Sequence, residues 1–287
     1  MDQPIEDRRT RASQEYPALY NRVIEQWKQE GEDAFWLIYS ANYLFRCGVV
    51  RWAVDPVTLS SRIPADFPLH PEVDFEKSDF IVLTHRHSDH LDKKLLKAIS
   101  DINIPWVVPD FLLDEIQKIV HLPDHRIIVP IPGKQLVISG IKILALEGFH
   151  WEKTGDMHAA GTSLHGVPAY SYLFEAHNKK WFIPGDTRTY DPKLIPQMGH
   201  LDGLIAHVWL GRKGALKDPP PLLDQFCNYF KRFKSSKIVL THLDEWGRAE
   251  SDLWTSDHAK MITNQIEQGS DQATVITAVT GDQILMQ

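Results

Sequence analysis

The sequence predicts an α/β fold in which two packed β-sheets lie between outer layers of helices. Short apolar runs with the length of buried strands recur from one end of the chain to the other. Segments whose apolar residues follow the spacing of a helix stand between these runs in both halves. The sequence shows no internal repeat and no flexible linker. We therefore expect residues 1–287 to fold as a single domain, with residues 1–30 as an N-terminal helical extension.

The first predicted element is a helix at residues 13–29. Apolar residues recur there every three or four positions and would cover one face of a helix. These residues are Tyr16, Leu19, Tyr20, Val23, Ile24 and Trp27. Residues 1–11 are highly charged, and we expect them to be loose. Further helices are predicted at residues 93–99, 111–120, 222–233 and 258–267.

The predicted strands are short apolar runs bounded by turn residues. The run FIVLT at residues 80–84 is of the kind seen in a buried strand, and Asp55-Pro56 ends the run before it. Gly140 is expected to turn a hairpin between two runs. In chain order, the strands are predicted at residues 34–40, 43–46, 49–54, 80–84, 106–108, 126–129, 136–139, 141–146, 169–175, 180–183, 204–209, 237–241, 274–279 and 283–286.

Composition and charge exclude several classes of protein. Hydrophobic residues make up 43% and charged residues 24% of the chain, which is the balance of a globular protein rather than a disordered one. The formal net charge of -7 disfavours nucleic acid as a partner, because an acidic surface repels the phosphate backbone. The expected partner is therefore a small-molecule substrate.

The cysteines and the apolar runs bear on the cellular compartment. Cys47 and Cys227 are expected to be buried thiols in a reducing environment rather than a disulfide. The charged start of the chain lacks the apolar stretch of a secretory signal. No run approaches the roughly 18 apolar residues of a membrane-spanning helix. We therefore expect a cytoplasmic protein with no membrane partner.

The strongest chemical signal is a cluster of histidines and an aspartate directly after the strand predicted at residues 80–84. His85, His87, Asp89 and His90 fall within six positions. Imidazole and carboxylate groups suit zinc and similar divalent ions. In an extended turn, side chains two positions apart share a face, so His85 and His87 project to the same side. Asp89 and His90 then face a neighbouring point, and the cluster can serve two adjacent metal positions.

This HxHxDH motif resembles the signature of the metallo-β-lactamase superfamily. Further marks of that family follow in the expected order. Asp55 resembles its early strand-end aspartate, Gly185-Asp186-Thr187 its Gly-Asp-Thr segment, and Thr241-His242 the end of its late strand. Together these marks span about residues 35–245. The resemblance implies a four-layer αββα sandwich, which is the metallo-β-lactamase fold.

The resemblance also implies how the metal ligands divide. The implied ligands of one ion are His85, His87 and a third histidine, and those of the other are Asp89, His90 and His242. Asp186 would bridge the two ions. Family members with iron redox chemistry usually have glutamate where this chain has His87. The histidine therefore favours hydrolysis with two zinc ions, with manganese and iron as alternatives.

The third histidine of the first set is left open between two positions. His150 ends the segment ILALEGFH, and we favour it because a ligand at a strand end is held more rigidly than one inside a loop. His165 directly precedes the next strand and is the alternative. His158 lies between them.

Catalytic roles are also implied by the resemblance. Asp89 or Asp186 would orient an activated water and shuttle its proton. His207 lies in an apolar strand comparable to one that carries a histidine in the tRNA-trimming endonucleases. It is the candidate to protonate the leaving group or to support the ligands from behind, with a satisfied core histidine as the alternative. Glu245 and Arg248 are expected either to contact a polar substrate or to be surface charges.

Two functions fit these residues. The leading prediction is a dinuclear metal-dependent hydrolase that acts on an ester, lactone or phosphodiester bond of a small substrate, similar to the lactonase and phosphodiesterase branch. The alternative is a ribonuclease or phosphodiesterase similar to tRNase Z that acts on nucleic acid. Residues 185–188 (GDTR) and 240–242 (LTH) resemble sequence motifs of that family. The stretch from His165 to Asp186 is too short for the RNA-binding arm of that family, and no basic stripe is evident. A homo-oligomer is compatible with the sequence.

Overall fold

The computed structural model describes residues 3–59, 70–150, 166–211, 218–268 and 273–287. The helices in these ranges are α1 (Gln3–Lys28), α2 (Pro71–Asp74), α3 (Lys93–Ala98), α4 (Leu113–Ile119), α5 (Leu223–Phe230) and α6 (Ser256–Glu267). The strands are β1 (Ala34–Leu37), β2 (Tyr43–Cys47), β3 (Val50–Val54), β4 (Phe80–Val82), β5 (Trp106–Val107), β6 (Ile127–Ile128), β7 (Gln135–Ile138), β8 (Ile141–Glu147), β9 (Tyr170–Ala176), β10 (Lys179–Ile183), β11 (Gly203–His207), β12 (Lys237–Thr241), β13 (Thr274–Thr277) and β14 (Gln283–Leu285).

The strands form two mixed sheets. The first has the order β14-β1-β2-β3-β4-β5-β6, and the second has the order β13-β12-β11-β10-β9-β8-β7. Strands β3 to β6 run parallel in the first sheet, and strands β10 to β13 run parallel in the second. Because parallel strands end at the same edge of a sheet, the residues that follow them in sequence come together there.

Three apolar layers hold the secondary structure together. The middle layer lies between the sheets, where the ring centroids of Phe35 and Trp181 are 5.4 Å apart and those of Trp52 and Phe174 are 5.5 Å apart. The outer face of the first sheet packs against α1, α3 and α4, and that of the second packs against α5 and α6. The layers therefore follow the order helices, sheet, sheet, helices, which confirms the predicted αββα sandwich.

The largest difference from the predicted elements is at the N-terminus. Helix α1 begins at Gln3 instead of residue 13, so residues 3–11, which were expected to be loose, are helical. Its first turns are held by contacts with a distant part of the chain, because Ala12 is buried and Arg8 donates a hydrogen bond to the backbone oxygen of Arg248. Helix α2 was not predicted, since four residues are too few to show a helical period.

Two predictions about the thiols and the membrane can be compared with the structure. Cys47 and Cys227 are free and buried, as predicted, and burial raises the pKa of both thiols to about 12. Within the described ranges, no helix combines the length and the apolar character that crossing a lipid bilayer requires.

Candidate metal centre

The carboxyl ends of strands from both sheets meet at one edge of the sandwich. Asp55 follows β3, and the HxHxDH segment follows β4. In the second sheet, His150, Asp186 and His242 follow β8, β10 and β12. The described ligand candidates are buried, apart from the half-buried His87. The fold thus gathers residues that are far apart in the sequence.

Two of these strand ends have a left-handed backbone. The φ angle is 48° at Asp55 and 65° at His242. This conformation is uncommon for residues other than glycine and costs about 1–3 kcal/mol. Tertiary contacts hold both residues in it: Asn42 donates to the backbone oxygen of Asp55 at 2.7 Å, and His242 donates its backbone N–H to the oxygen of Ser40 at 2.6 Å. Such local strain concentrates at functional sites.

The first candidate ligand set consists of His85, His87, His150 and Asp186. One potential ligand atom from each residue lies within 4.8 Å of all the others. His150 Nε2 is 2.9 Å from His87 Nδ1 and 3.9 Å from Asp186 Oδ2. The structure therefore places His150 beside the two histidines of the motif. His158 and His165 lie outside the described residues.

The second candidate set consists of Asp89, His90 and His242, whose potential ligand atoms also lie within 4.8 Å of one another. His242 Nε2 is 4.0 Å from Asp89 Oδ2. Asp186 lies beside this set as well, because its Oδ2 is 3.4 Å from His90 Nε2. One carboxylate therefore borders both sets.

Asp55 also lies near His85 and His90, but both of its carboxylate oxygens are already engaged in hydrogen bonds. Its Oδ1 accepts from the backbone N–H of Thr84 at 2.8 Å, and its Oδ2 accepts from the Thr84 hydroxyl. The same Oδ2 lies 2.8 Å from Nδ1 of His90. Asp55 therefore orients the imidazole of His90, so that its Nε2 points toward Asp186.

The chemistry of the two sets fits divalent cations. His85 Nε2 and His242 Nε2 are buried and have no hydrogen-bond partner among the described residues. Burial lowers the pKa of His85 and His150 well below the usual value, so both imidazoles are neutral, which is the form that binds metals. Bare imidazole nitrogens that face a carboxylate are suited to zinc and related ions.

We expect zinc binding to release a proton at pH 7. Burial disfavours a charge on His90, but Asp186 and Asp55 outweigh it and raise the pKa of His90 well above 6.5 in the metal-free protein. His90 must lose this proton in order to bind a metal. Calorimetric titration with zinc in buffers of different ionisation enthalpy measures the release. A binding heat that is independent of the buffer would contradict this expectation.

The same residues set the pH dependence of folding in the metal-free protein. The folded pKa of His90 is raised, so its contribution to the free energy of unfolding is full below pH 6.5 and is lost as the pH rises through the folded pKa. Burial raises the pKa of Asp186, but the charges of His90 and His242 and the hydrogen bonds from His207 and His90 together outweigh it and lower the pKa well below 3.8. The contribution of Asp186 is therefore present above pH 3.8 and is lost as the pH falls through the folded pKa. Burial lowers the pKa of His85 and His150, so the folded protein resists their protonation and loses stability as the pH falls below 6.5. Urea unfolding with a chelator should therefore show greatest stability near neutral pH.

His207 contacts Asp186 rather than an open cleft. Its Nδ1 is 2.8 Å from Asp186 Oδ1, and its Nε2 is 2.7 Å from the hydroxyl of Tyr43, which is 2.7 Å from Thr241 Oγ1. Burial lowers the pKa of His207 to about 4, although Asp186 raises it. The predicted role of His207 as proton donor to a leaving group does not fit, because both ring nitrogens are engaged inside the protein.

Glu245 and Arg248 lie against the second ligand set. Glu245 is only 2% exposed, and its Oε2 is 3.7 Å from His242 Nε2. Arg248 pairs with Glu245 and also lies 3.8 Å from Asp89 Oδ2. Glu245 is therefore not a surface charge, which was one of the two alternatives from the sequence.

Two residues that support the centre were not predicted from the sequence. Asn42 donates to the backbone oxygens of both Asp55 and Asp89 at 2.7 Å. Tyr43 contacts His207, as described above. Neither residue belongs to a local motif, because both act only after β2 has packed beside the other strands. The sequence offers no signal that would have identified them.

Most of the residues at this edge lie in a segment of the chain that matches a known protein family. The sequence matches the family model described as "Beta-lactamase superfamily domain" over residues 51–243. The chain is also similar to "Probable L-ascorbate-6-phosphate lactonase UlaG" of Salmonella heidelberg (strain SL476), with 30% identity over 120 residues. That match covers 38% of this chain and 33% of the relative, so it spans about a third of the relative's length.

Solved structures share the fold at low sequence identity. The metallo hydrolase Igni18 from Ignicoccus hospitalis has a TM-score of 0.63 and 14% identity, and the match covers 90% of this chain and 99% of that one. CmlA, a diiron β-hydroxylase from Streptomyces venezuelae, has the same TM-score and identity, covering 90% of this chain and 55% of that one. Such likeness shows the fold alone. Because these two neighbours carry different activities, the reaction has to be argued from the site.

Proposed function

The chain belongs to the β-lactamase superfamily, and we propose that it is a hydrolase whose centre holds two divalent metal ions, in the first place zinc. The observation that carries the proposal is the position of Asp186 between the two ligand sets. Its Oδ2 lies 3.8 Å from His85 Nε2 in one set and 3.4 Å from His90 Nε2 in the other. A carboxylate shared between two groups of imidazoles is suited to a pair of cations.

We assign different roles in hydrolysis to the bound ions, to Asp186 and to Asp89. Bound divalent ions supply Lewis acidity, which activates water and polarises the oxygen of the bond under attack. Asp186 is held on Oδ1 by His207, so it acts as a fixed carboxylate rather than as a proton carrier. We assign proton transfer to Asp89, whose Oδ2 lies 4.0 Å from His242 Nε2.

We propose that the substrate is a small ester, lactone or phosphodiester with an anionic group. Two arginines border the ligand cluster. Arg248 lies beside Asp89 of the second set. Burial is the main cause that lowers the pKa of His87, and Arg188 lies close enough to the first set for its charge to add to that effect. Arg188 is also placed over the ring of Trp209, 5.2 Å from its centroid. Guanidinium groups bind carboxylate and phosphate in preference to neutral groups, and the name of the curated relative combines a lactone with a phosphate.

The proposal is tested with purified protein and a panel of substrates. The panel contains simple lactones, phosphorylated lactones, bis-p-nitrophenyl phosphate and a structured RNA. We expect hydrolysis of a lactone or a phosphodiester that stops on chelation and returns with zinc. As a control, His200→Ala removes an exposed imidazole at the opposite edge of the second sheet and should leave this activity unchanged.

Two outcomes would contradict the proposal. Hydrolysis that persists after chelation, in protein free of metal by elemental analysis, would exclude the metal-dependent mechanism. Cleavage of the RNA alone, with binding that weakens steeply as salt is added, would favour the nuclease alternative.

A further inference from the structure

We infer that Thr241, Tyr43 and His207 form a buried hydrogen-bond relay that fixes the orientation of Asp186 and thereby sets the affinity of the centre for its metal ions. The inference rests on the proposed function, since it concerns the carboxylate shared by the two ligand sets. The three residues are positioning residues, because none of them belongs to either set. Tyr43 also lies outside the part of the chain that matches the family model.

The relay is continuous and enclosed. It runs from Thr241 Oγ1 to the Tyr43 hydroxyl at 2.7 Å, from there to His207 Nε2 at 2.7 Å, and from His207 Nδ1 to Asp186 Oδ1 at 2.8 Å. Tyr43 and Thr241 are fully buried, and His207 is 2% exposed. Because bulk water does not reach these groups, a broken link would leave a buried polar atom without a partner.

The partners determine the direction of each hydrogen bond. The carboxylate of Asp186 can only accept, so the ring hydrogen of His207 lies on Nδ1 and is donated to Oδ1. His207 Nε2 then accepts from the hydroxyl of Tyr43, and the Tyr43 oxygen accepts from the hydroxyl of Thr241. Each residue therefore donates to the next, from Thr241 through Tyr43 and His207, and the last hydrogen bond is accepted by the carboxylate of Asp186.

The relay joins the two sheets directly below the centre. Tyr43 is the first residue of β2 in the first sheet, while His207 and Thr241 are paired in register at the ends of β11 and β12 in the second. Tyr43 thus reaches across the middle apolar layer to His207 and Thr241 of the opposite sheet. The relative position of the sheets and the direction of Asp186 are therefore fixed by the same contacts.

The hydrogen bond from His207 to Oδ1 of Asp186 determines which way the other oxygen, Oδ2, points. With Oδ1 accepting from His207, Oδ2 is the oxygen that faces His85, His90 and His150, at 3.8, 3.4 and 3.9 Å. Without His207, rotation of the carboxylate is no longer opposed, and Oδ2 is not held toward both ligand sets. Loss of an orienting partner typically weakens metal affinity by about 10- to 100-fold.

The experiment measures zinc affinity by competition with a chromophoric chelator, so that no substrate is needed. We expect His207→Ala to weaken the binding of at least one zinc ion by about 10- to 100-fold. His207→Asn should restore much of that loss, because its amide N–H can occupy the place of Nδ1. Tyr43→Phe removes one link and should weaken binding by about 3- to 10-fold.

Tyr172→Phe is the matched control. Tyr172 is fully buried in the same middle layer, and its hydroxyl donates to the backbone oxygen of Leu83 at 3.0 Å, outside the relay. Both Tyr→Phe variants lose one buried hydrogen bond and should lose similar unfolding free energy, but only Tyr43→Phe should lose zinc affinity. Equal zinc affinity in wild type, Tyr43→Phe and His207→Ala would overturn the inference alone. A wild-type chain that binds no zinc would overturn the proposed function and the inference with it.

Discussion

Asp186→Ala is expected to bind at most one zinc ion per chain and to lose hydrolytic activity by roughly 10³-fold or more in kcat/KM. Asp186 borders both ligand sets, and its buried carboxylate supplies the negative charge between them. Without it, two cations would lie close together without a shared anion, which is electrostatically unfavourable. Elemental analysis and steady-state kinetics of the purified variant measure both effects.

A second carboxylate on the same sheet provides the control. Asp202 precedes β11 at the opposite edge, where it pairs with Lys179 at 3.1 Å. Asp202→Asn therefore removes a carboxylate of the same sheet without touching the centre, and it should keep its full zinc content. Two zinc ions in the Asp186→Ala variant would refute the bridging position.

The largest expected effect on stability comes from Trp52→Ala, at about 3–5 kcal/mol of unfolding free energy. Trp52 is fully buried between the sheets, and its ring is stacked on Phe45 at 4.9 Å and on Phe80 at 5.6 Å. Removing it leaves a cavity between two rigid sheets that cannot close around the space. Urea unfolding of the metal-free protein isolates this loss from the contribution of bound metal.

An exposed valine near the start of the same strand serves as the comparison. Val49 is 74% exposed, and Val49→Ala should change the unfolding free energy by no more than about 0.5 kcal/mol. If Trp52→Ala cost as little as Val49→Ala, the middle apolar layer would not be the main support of the sandwich.

The order of the strands was predictable because its signals are local. Each strand is a short apolar run that ends at a turn residue, and the strand ends in the structure fall close to those expected. The first turns of α1 were not predictable, because they are held by a contact between Arg8 and Arg248 rather than by an apolar period. A helix that depends on tertiary contacts leaves little trace in its own residues.

The residues of the candidate site likewise include some that local sequence predicts and some that it does not. The cluster from His85 to His90 is evident from spacing, while Asp186 and His242 needed the resemblance to a family. The role of His207 could not be inferred from its own strand, because it depends on Tyr43 in the other sheet and on Asp186 after a different strand. The choice between His150 and His165 as third ligand stays a prediction in favour of His150, which lies within the first set.

Anomalous X-ray scattering at the zinc edge, from crystals of the zinc-loaded protein, tests the dinuclear centre most directly. We predict two peaks, one among His85, His87 and His150 and the other among Asp89, His90 and His242, with Asp186 between them. A single peak, or zinc bound away from these residues, would contradict the account.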